Sequence, residues 1–188
     1  MFEKSYANSV ALSLAIFIIF FLIGYFVVAP NEELAEPLII AIQNEMGAFS
    51  LDDDPMLLMV EIFLNNLTAA VLLFLGGAVL GVVTGYVLLT NGFVLGLVMG
   101  YMTNIKSITL SLVSVVPHGI FELSALFIAS AMGFMLAESV YHEYYGSGDA
   151  ADTAKVLGMK FVTIVIPMLF LAAFVESFIT PVLMNMVM

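Results

Sequence analysis

The chain has 188 residues, of which 63% are hydrophobic and only 10% charged, with a formal charge of −11. A globular domain carries roughly 25% charged residues and has no core large enough for so much apolar surface, so composition excludes a soluble protein. Four lysines without a single arginine exclude nucleic acid as a partner, and the lack of cysteine excludes disulfides, thiolate ligands and a cysteine nucleophile.

A spanning helix needs about 20 mainly apolar residues, so residues 1–188 read as one integral membrane domain. The expected fold is all-α, a polytopic transmembrane bundle of about five to six spans. The first span covers 9–29 behind Lys4. It is too long for a signal-peptide core and lacks a small-residue cleavage site, which makes it an uncleaved anchor. Lys4 sets the N-terminus on the cytoplasmic side.

Residues 30–54 form an outer loop that holds Glu32, Glu33, Glu36, Glu45, Asp52, Asp53 and Asp54 and no basic residue. Such a loop is kept solvated by its charge, repels anionic headgroups and can gather cations. Within it, the glutamates before Pro37 and the run Leu38 to Ile42 have the order of a helix start, with acids and proline in the first turn. A short helix on the outer membrane surface is expected there.

The second span is expected over 55–89, longer than one crossing and therefore tilted or projecting. Gly77, Gly81 and Gly85 precede the Thr90-Asn91-Gly92 turn, and Gly92, Gly96 and Gly100 follow it at the same spacing of four. Membrane helices associate largely through close backbone approach at small residues, so the two stripes predict a tightly packed helical hairpin. The third span, 93–116, is interrupted by Thr103, Asn104, Lys106 and Ser107. A broken helix or re-entrant pair fits this pattern, and splitting it gives the sixth span.

Pro117 closes that segment, and the fourth span follows over 118–139. The polar stretch Tyr141 to Thr153 is placed on the cytoplasmic side by Lys155 and Lys160, with Tyr141, Tyr144 and Tyr145 as an interfacial belt. A fifth span over 156–179 leads to Pro181 and an outer C-terminus.

Ionisable side chains inside spans are costly and usually face protein or water. Glu61, Lys106, Glu122 and Glu176 are the candidates. Glu61 lies six residues after Pro55, Glu122 five after Pro117, and Glu176 five before Pro181. A rise of about 1.5 Å per residue then puts the three acids at similar depth. Asn65 and Asn66 accompany Glu61, and His118 shares a helix face with Glu122 four residues on. These residues, with Lys106 as counter-charge, form a polar cluster that either hydrogen-bonds the helices together or holds a cation or proton.

Catalytic chemistry has little support. There is no His-Glu-x-x-His pair, His142 lies on the opposite side from His118, and Ser124 is six residues from His118 on another face. The chain is read as a non-enzyme without a cofactor, its metal content undetermined. Its partners are lipids and either a second copy or other membrane or envelope proteins.

Four blocks in order resemble the stage II sporulation protein M family: Asn65-Asn66 before a glycine-rich span, Asn91-Gly92 with Gly96, Pro117-His118-Gly119-Ile120-Phe121-Glu122 with Ala125, and Glu176 to Pro181. The resemblance carries Asn66, Asn91, Pro117, His118, Gly119, Glu122, Glu176 and Pro181 over as motif residues. It implies an integral membrane protein. The family's founding member is a scaffold for peptidoglycan-degrading proteins during forespore engulfment, so the resemblance implies a scaffold or assembly role in envelope remodelling.

Overall fold

The computed structural model describes residues 2–46, 54–105 and 107–186. Among the described residues, five helical stretches are long and apolar enough to cross a membrane, and no strand occurs. Helix α1, Phe2–Leu22, runs into a π-helical segment, Ile23–Val28. Helix α2 is Glu32–Met46 and α3 is Pro55–Leu75, followed by a 3-10 turn, Gly76–Val79. Helix α4 is Val82–Ile105 and α5 is Ile108–Tyr144. The last span is α6, Ala150–Lys160, α7, Ile166–Phe174, and α8, Thr180–Asn185, joined by π-helical segments Phe161–Val165 and Val175–Ile179.

The bundle is therefore all-α and polytopic, but its punctuation differs from the sequence expectation. The chain does not continue from Pro55 to Leu89. It reverses at Gly76 to Gly81, where Leu80 (φ 56°) and Gly81 (φ 77°) both take the left-handed conformation. Two successive left-handed residues turn the chain sharply, and only glycine does so without steric cost. Thr84 Oγ1 then donates to the Leu73 carbonyl at 2.8 Å, tying the two helices across the turn.

The expected turn at Thr90-Asn91-Gly92 is instead the middle of α4. Thr90 donates to the Val87 carbonyl at 2.9 Å and Asn91 Nδ2 to the same carbonyl at 2.8 Å. Because these side chains are satisfied by their own helix, they place no break there.

The polar stretch of the expected broken helix is a boundary between two spans. Helix α4 ends at Ile105, and Ser107 caps α5 by accepting from the Leu110 amide at 3.1 Å. Thr103 and Ser111 meet across the pair at 3.3 Å. Lys106, assigned as a counter-charge, lies outside the described residues, as do Asp52 and Asp53 of the acidic loop.

Pro117 does not end a span either. Helix α5 passes through it for 37 residues, about 55 Å at the helical rise, and so exceeds a hydrocarbon core of roughly 30 Å. The longer α5 replaces the expected 118–139, and the last span runs over 150–185 rather than 156–179. In the acidic segment, α2 starts at Glu32, so Glu32 and Glu33 occupy the first turn but Glu36 and Pro37 fall in the second. Its inner face, Ala35 and Ile39, packs with Ala29 and Leu97.

Helix α5 is the axis of the bundle and touches α1, α3, α4 and the last span. Small residues on it, Ala125, Ala129, Ser130 and Gly133, are fully or almost fully buried and let the neighbours approach. A Cβ on Gly133 would overlap the Leu73 carbonyl, and one on Gly77 would overlap Gly133.

The second glycine stripe serves a different partner from the one expected. Gly92, Gly96 and Gly100 lie against the backbone of Phe17, Phe21 and Tyr25, so they seat α4 on α1 and its π-helical extension instead of on α3. Gly24 answers from the other side against the Phe93 carbonyl. Gly85, which keeps the stripe's spacing in sequence, faces open space.

Candidate functional site

Within this frame one group of polar side chains converges. His118 and Glu122 are one helical turn apart on α5, with Nε2 and Oε2 separated by 4.0 Å. Glu176 joins them from the π-helical segment Val175–Ile179 of the last span. One donor atom from each of the three lies within 4.8 Å of the others, a geometry in which they could hold a metal ion.

The local folding explains why they meet. Spacing of four puts His118 and Glu122 on one α5 face, and Gly119 between them is buried. A π-helical turn carries an extra residue and shifts the faces of the helix beyond it, which is why such turns often mark functional sites. Thr180 Oγ1 donates to the Val175 carbonyl at 3.3 Å within this altered register.

Beside the cluster is a cavity of about 60 Å³ lined by Phe17, Asn91, Leu95, His118, Gly119 and Glu122, among others. Asn91 lines it from α4, directly before Gly92 of the glycine seam. A cavity needs about 10–15 Å³ to admit one water and two or more polar partners to keep it. Asn91, His118 and Glu122 supply those partners, so the cavity is large and polar enough for water or an ion.

Among the described residues, two buried polar atoms have no hydrogen-bond partner: His118 Nδ1 and Ser177 Oγ, the latter next to Glu176 in sequence. An orphaned buried group costs about 1–3 kcal/mol. Both orphans belong to cluster residues or their immediate neighbours, whereas the buried hydroxyls of Ser13, Thr84, Ser111 and Ser130 are bonded. Ser130 donates to Ser13 at 2.8 Å, and Ser13 donates to the Ser9 carbonyl at 2.9 Å.

The other sequence candidates are distributed differently. Glu61 lies six residues into α3, about 9 Å from its start, whereas Glu122 lies 14 residues into α5, about 21 Å from its start. Similar depth from the prolines therefore does not hold, because Pro117 is interior to its helix. Glu61 is half-buried and outside the three-residue group, Asn65 is exposed, and Asn66 is buried on α3. Pro181 lies in the first turn of the short α8, after Thr180.

Sequence reading missed Ser177 and the apolar cavity walls, and it placed Asn91 in a turn. The four-residue spacing from Val87 to Asn91, which allows the side chain to bond its own helix, was the available signal for Asn91. Nothing in the sequence signals the π-helical register that brings Glu176 inward.

The family described as Stage II sporulation protein M matches residues 13–181. No curated protein and no solved structure gives a match. The family match spans all five membrane-crossing stretches at least in part, and it includes Asn91, His118, Glu122 and Glu176; the chain belongs to the stage II sporulation protein M family.

Proposed function

We propose that this protein is a non-enzymatic membrane scaffold, an assembly partner for envelope-remodelling proteins, with its N-terminus in the cytoplasm. The observation that carries this reading is a rigid platform at the end of α5. Helix α5 outlasts the hydrocarbon core, and its last turns are tied to neighbouring segments. Ser139 bonds Thr153 at 2.9 Å, the Ala150 amide donates to Glu143 at 2.9 Å, and Ser5 donates to Glu138.

Tyr141, Tyr144 and Tyr145 stand exposed on that platform, and aromatic residues are enriched at protein interfaces and at membrane headgroups. Lys155 and Lys160 follow in α6 on the same side as Lys4, which supports the cytoplasmic assignment. The scaffold role of the family's founding member in forespore engulfment supports a role in envelope assembly. Ser124 Oγ is engaged by the Ile120 carbonyl at 2.6 Å, which supports a non-catalytic reading of that serine.

A photo-crosslinking side chain at position 144, introduced in living cells, is expected to give discrete adducts with a membrane or envelope protein. The same side chain at Val162, exposed on the last span, is expected to label lipid.

The second reading, a cation or proton transporter, is favoured by the His118, Glu122 and Glu176 group alone. Liposomes carrying the purified chain decide between the two. Tight vesicles for wild type and Glu122→Gln alike, together with protein adducts at position 144, support the scaffold. Wild-type flux that falls in Glu122→Gln, with no adduct, overturns it in favour of transport.

A further inference from the structure

We infer that His118, Glu122 and Glu176 form a binding site for one divalent first-row transition-metal ion, held between α5 and the last span inside the bundle. The donor set is one imidazole nitrogen and two carboxylates, a combination that suits zinc, iron or manganese. Magnesium and calcium prefer an all-oxygen shell with more ligands than this site offers.

Geometry and charge both favour a divalent ion. Ligands at about 2.0–2.2 Å from a metal are themselves about 3–4 Å apart, and the His118 and Glu122 donors are already separated by 4.0 Å. Glu176 has its donor within 4.8 Å of both, a gap that side-chain rotation closes. Two carboxylates carry two negative charges, so a divalent ion leaves the site neutral in a medium where net charge is costly. A monovalent cation leaves one charge uncompensated.

A second observation concerns the outer side of the same histidine. His118 is only 9% exposed, lines the cavity, and its Nδ1 has no partner among the described residues. With Nε2 turned to the carboxylates, Nδ1 is left for a cavity water, the kind of outer partner that the second nitrogen of a metal-bound imidazole commonly bonds. The cavity supplies room for water to complete the coordination shell, with Asn91 on its wall. The π-helical segment that turns Glu176 inward serves this convergence. Binding is independent of the scaffold reading, because an ion fixed here would lock α5 to the last span without crossing the membrane.

The test uses the full chain in lipid nanodiscs, stripped with chelator and equilibrated with Zn2+. Wild type is expected to retain about one equivalent. Glu122→Gln and Glu176→Gln are expected to bind more than about 100-fold more weakly, since loss of even an outer partner costs about 10–100-fold. Glu61→Gln is expected to bind as wild type does. A wild type that retains no Zn2+, or glutamine variants that retain as much as wild type, overturns the inference and leaves a polar packing cluster.

Co2+ gives a readout that leaves the site's own residues unchanged. The chain has two histidines, and Co2+ is expected to shift the ring resonances of one of them. That shift is expected to persist in His142→Gln, whose side chain is half exposed near Glu138. Loss of the shift in His142→Gln places the ion at the surface and overturns the assignment.

Discussion

The seam between α1 and α4 and the cluster between α5 and the last span lie side by side and meet opposite demands. At the seam, Gly92, Gly96 and Gly100 bring backbone onto backbone with no room for a Cβ. At the cluster, polar groups are drawn together and a cavity is left beside them. Phe17 belongs to both, with its backbone under Gly92 and a place in the cavity lining. The comparison teaches that a dry, close-packed seam can act as the rigid wall against which a loosely satisfied polar site is held. Native proteins tolerate such locally unfavourable groups where the surrounding structure over-determines them.

The largest expected effect comes from breaking the seam. In Gly96→Leu the new Cβ overlaps the Phe21 carbonyl, an atom of a helix backbone that cannot rotate away. Overpacking a tight core costs about 1–3 kcal/mol even where side chains can adjust. Here a whole helix must shift, so loss of a monodisperse bundle on size-exclusion chromatography is expected. A variant that remains monodisperse and melts as wild type does would show that α1 is not held by this seam.

A smaller effect, of opposite sign, is expected at the cluster. Two carboxylates within 4.8 Å in a low-dielectric bundle need a proton or cation between them. With chelator present, Glu176→Gln removes one charge and is expected to raise stability by about 1 kcal/mol. The gain should be largest in alkaline buffer, where both wild-type carboxylates are ionised, and should disappear in acid, where protons already neutralise them. Thermal unfolding in the two buffers checks the sign. Stabilisation that is equal in both, or destabilisation in alkaline buffer, would mean that the charges are not in conflict.

These contrasts also explain what the sequence could disclose. Hydropathy and charge yield the class and a count of about five to six crossings, of which five are found, because long apolar runs have few alternatives. Helix boundaries were harder to read, since the cues are ambiguous in a membrane. Thr90, Asn91 and Gly92 have the composition of a turn, yet Thr and Asn side chains can be satisfied by their own helix. Pro117 resembles a terminus but lies inside α5, because neighbouring helices can re-satisfy the backbone around it. His118 and Glu122 were paired from their spacing alone. Glu176 joins them by a tertiary approach and a π-helical register, neither of which leaves a local pattern.

The smallest expected effect is at Gly85, and it gives the comparison its sharpest control. Gly85 has the same spacing as the seam glycines, but no atom lies within 4 Å of a Cβ built there. Sequence periodicity assigns Gly85 and Gly96 the same role, whereas the fold separates them by the face of α4 on which each falls. Gly85→Ala should leave the bundle intact and stabilise it by up to about 1 kcal/mol, because glycine in a helix interior is entropically unfavourable. Gly85→Leu should likewise leave the melting temperature close to that of wild type. A marked loss of stability or a change of oligomeric state in Gly85→Leu, measured by native mass spectrometry in detergent, would instead show that a second molecule covers this face. Gly85 would then belong to a contact between chains, while Gly92, Gly96 and Gly100 belong to a contact within one.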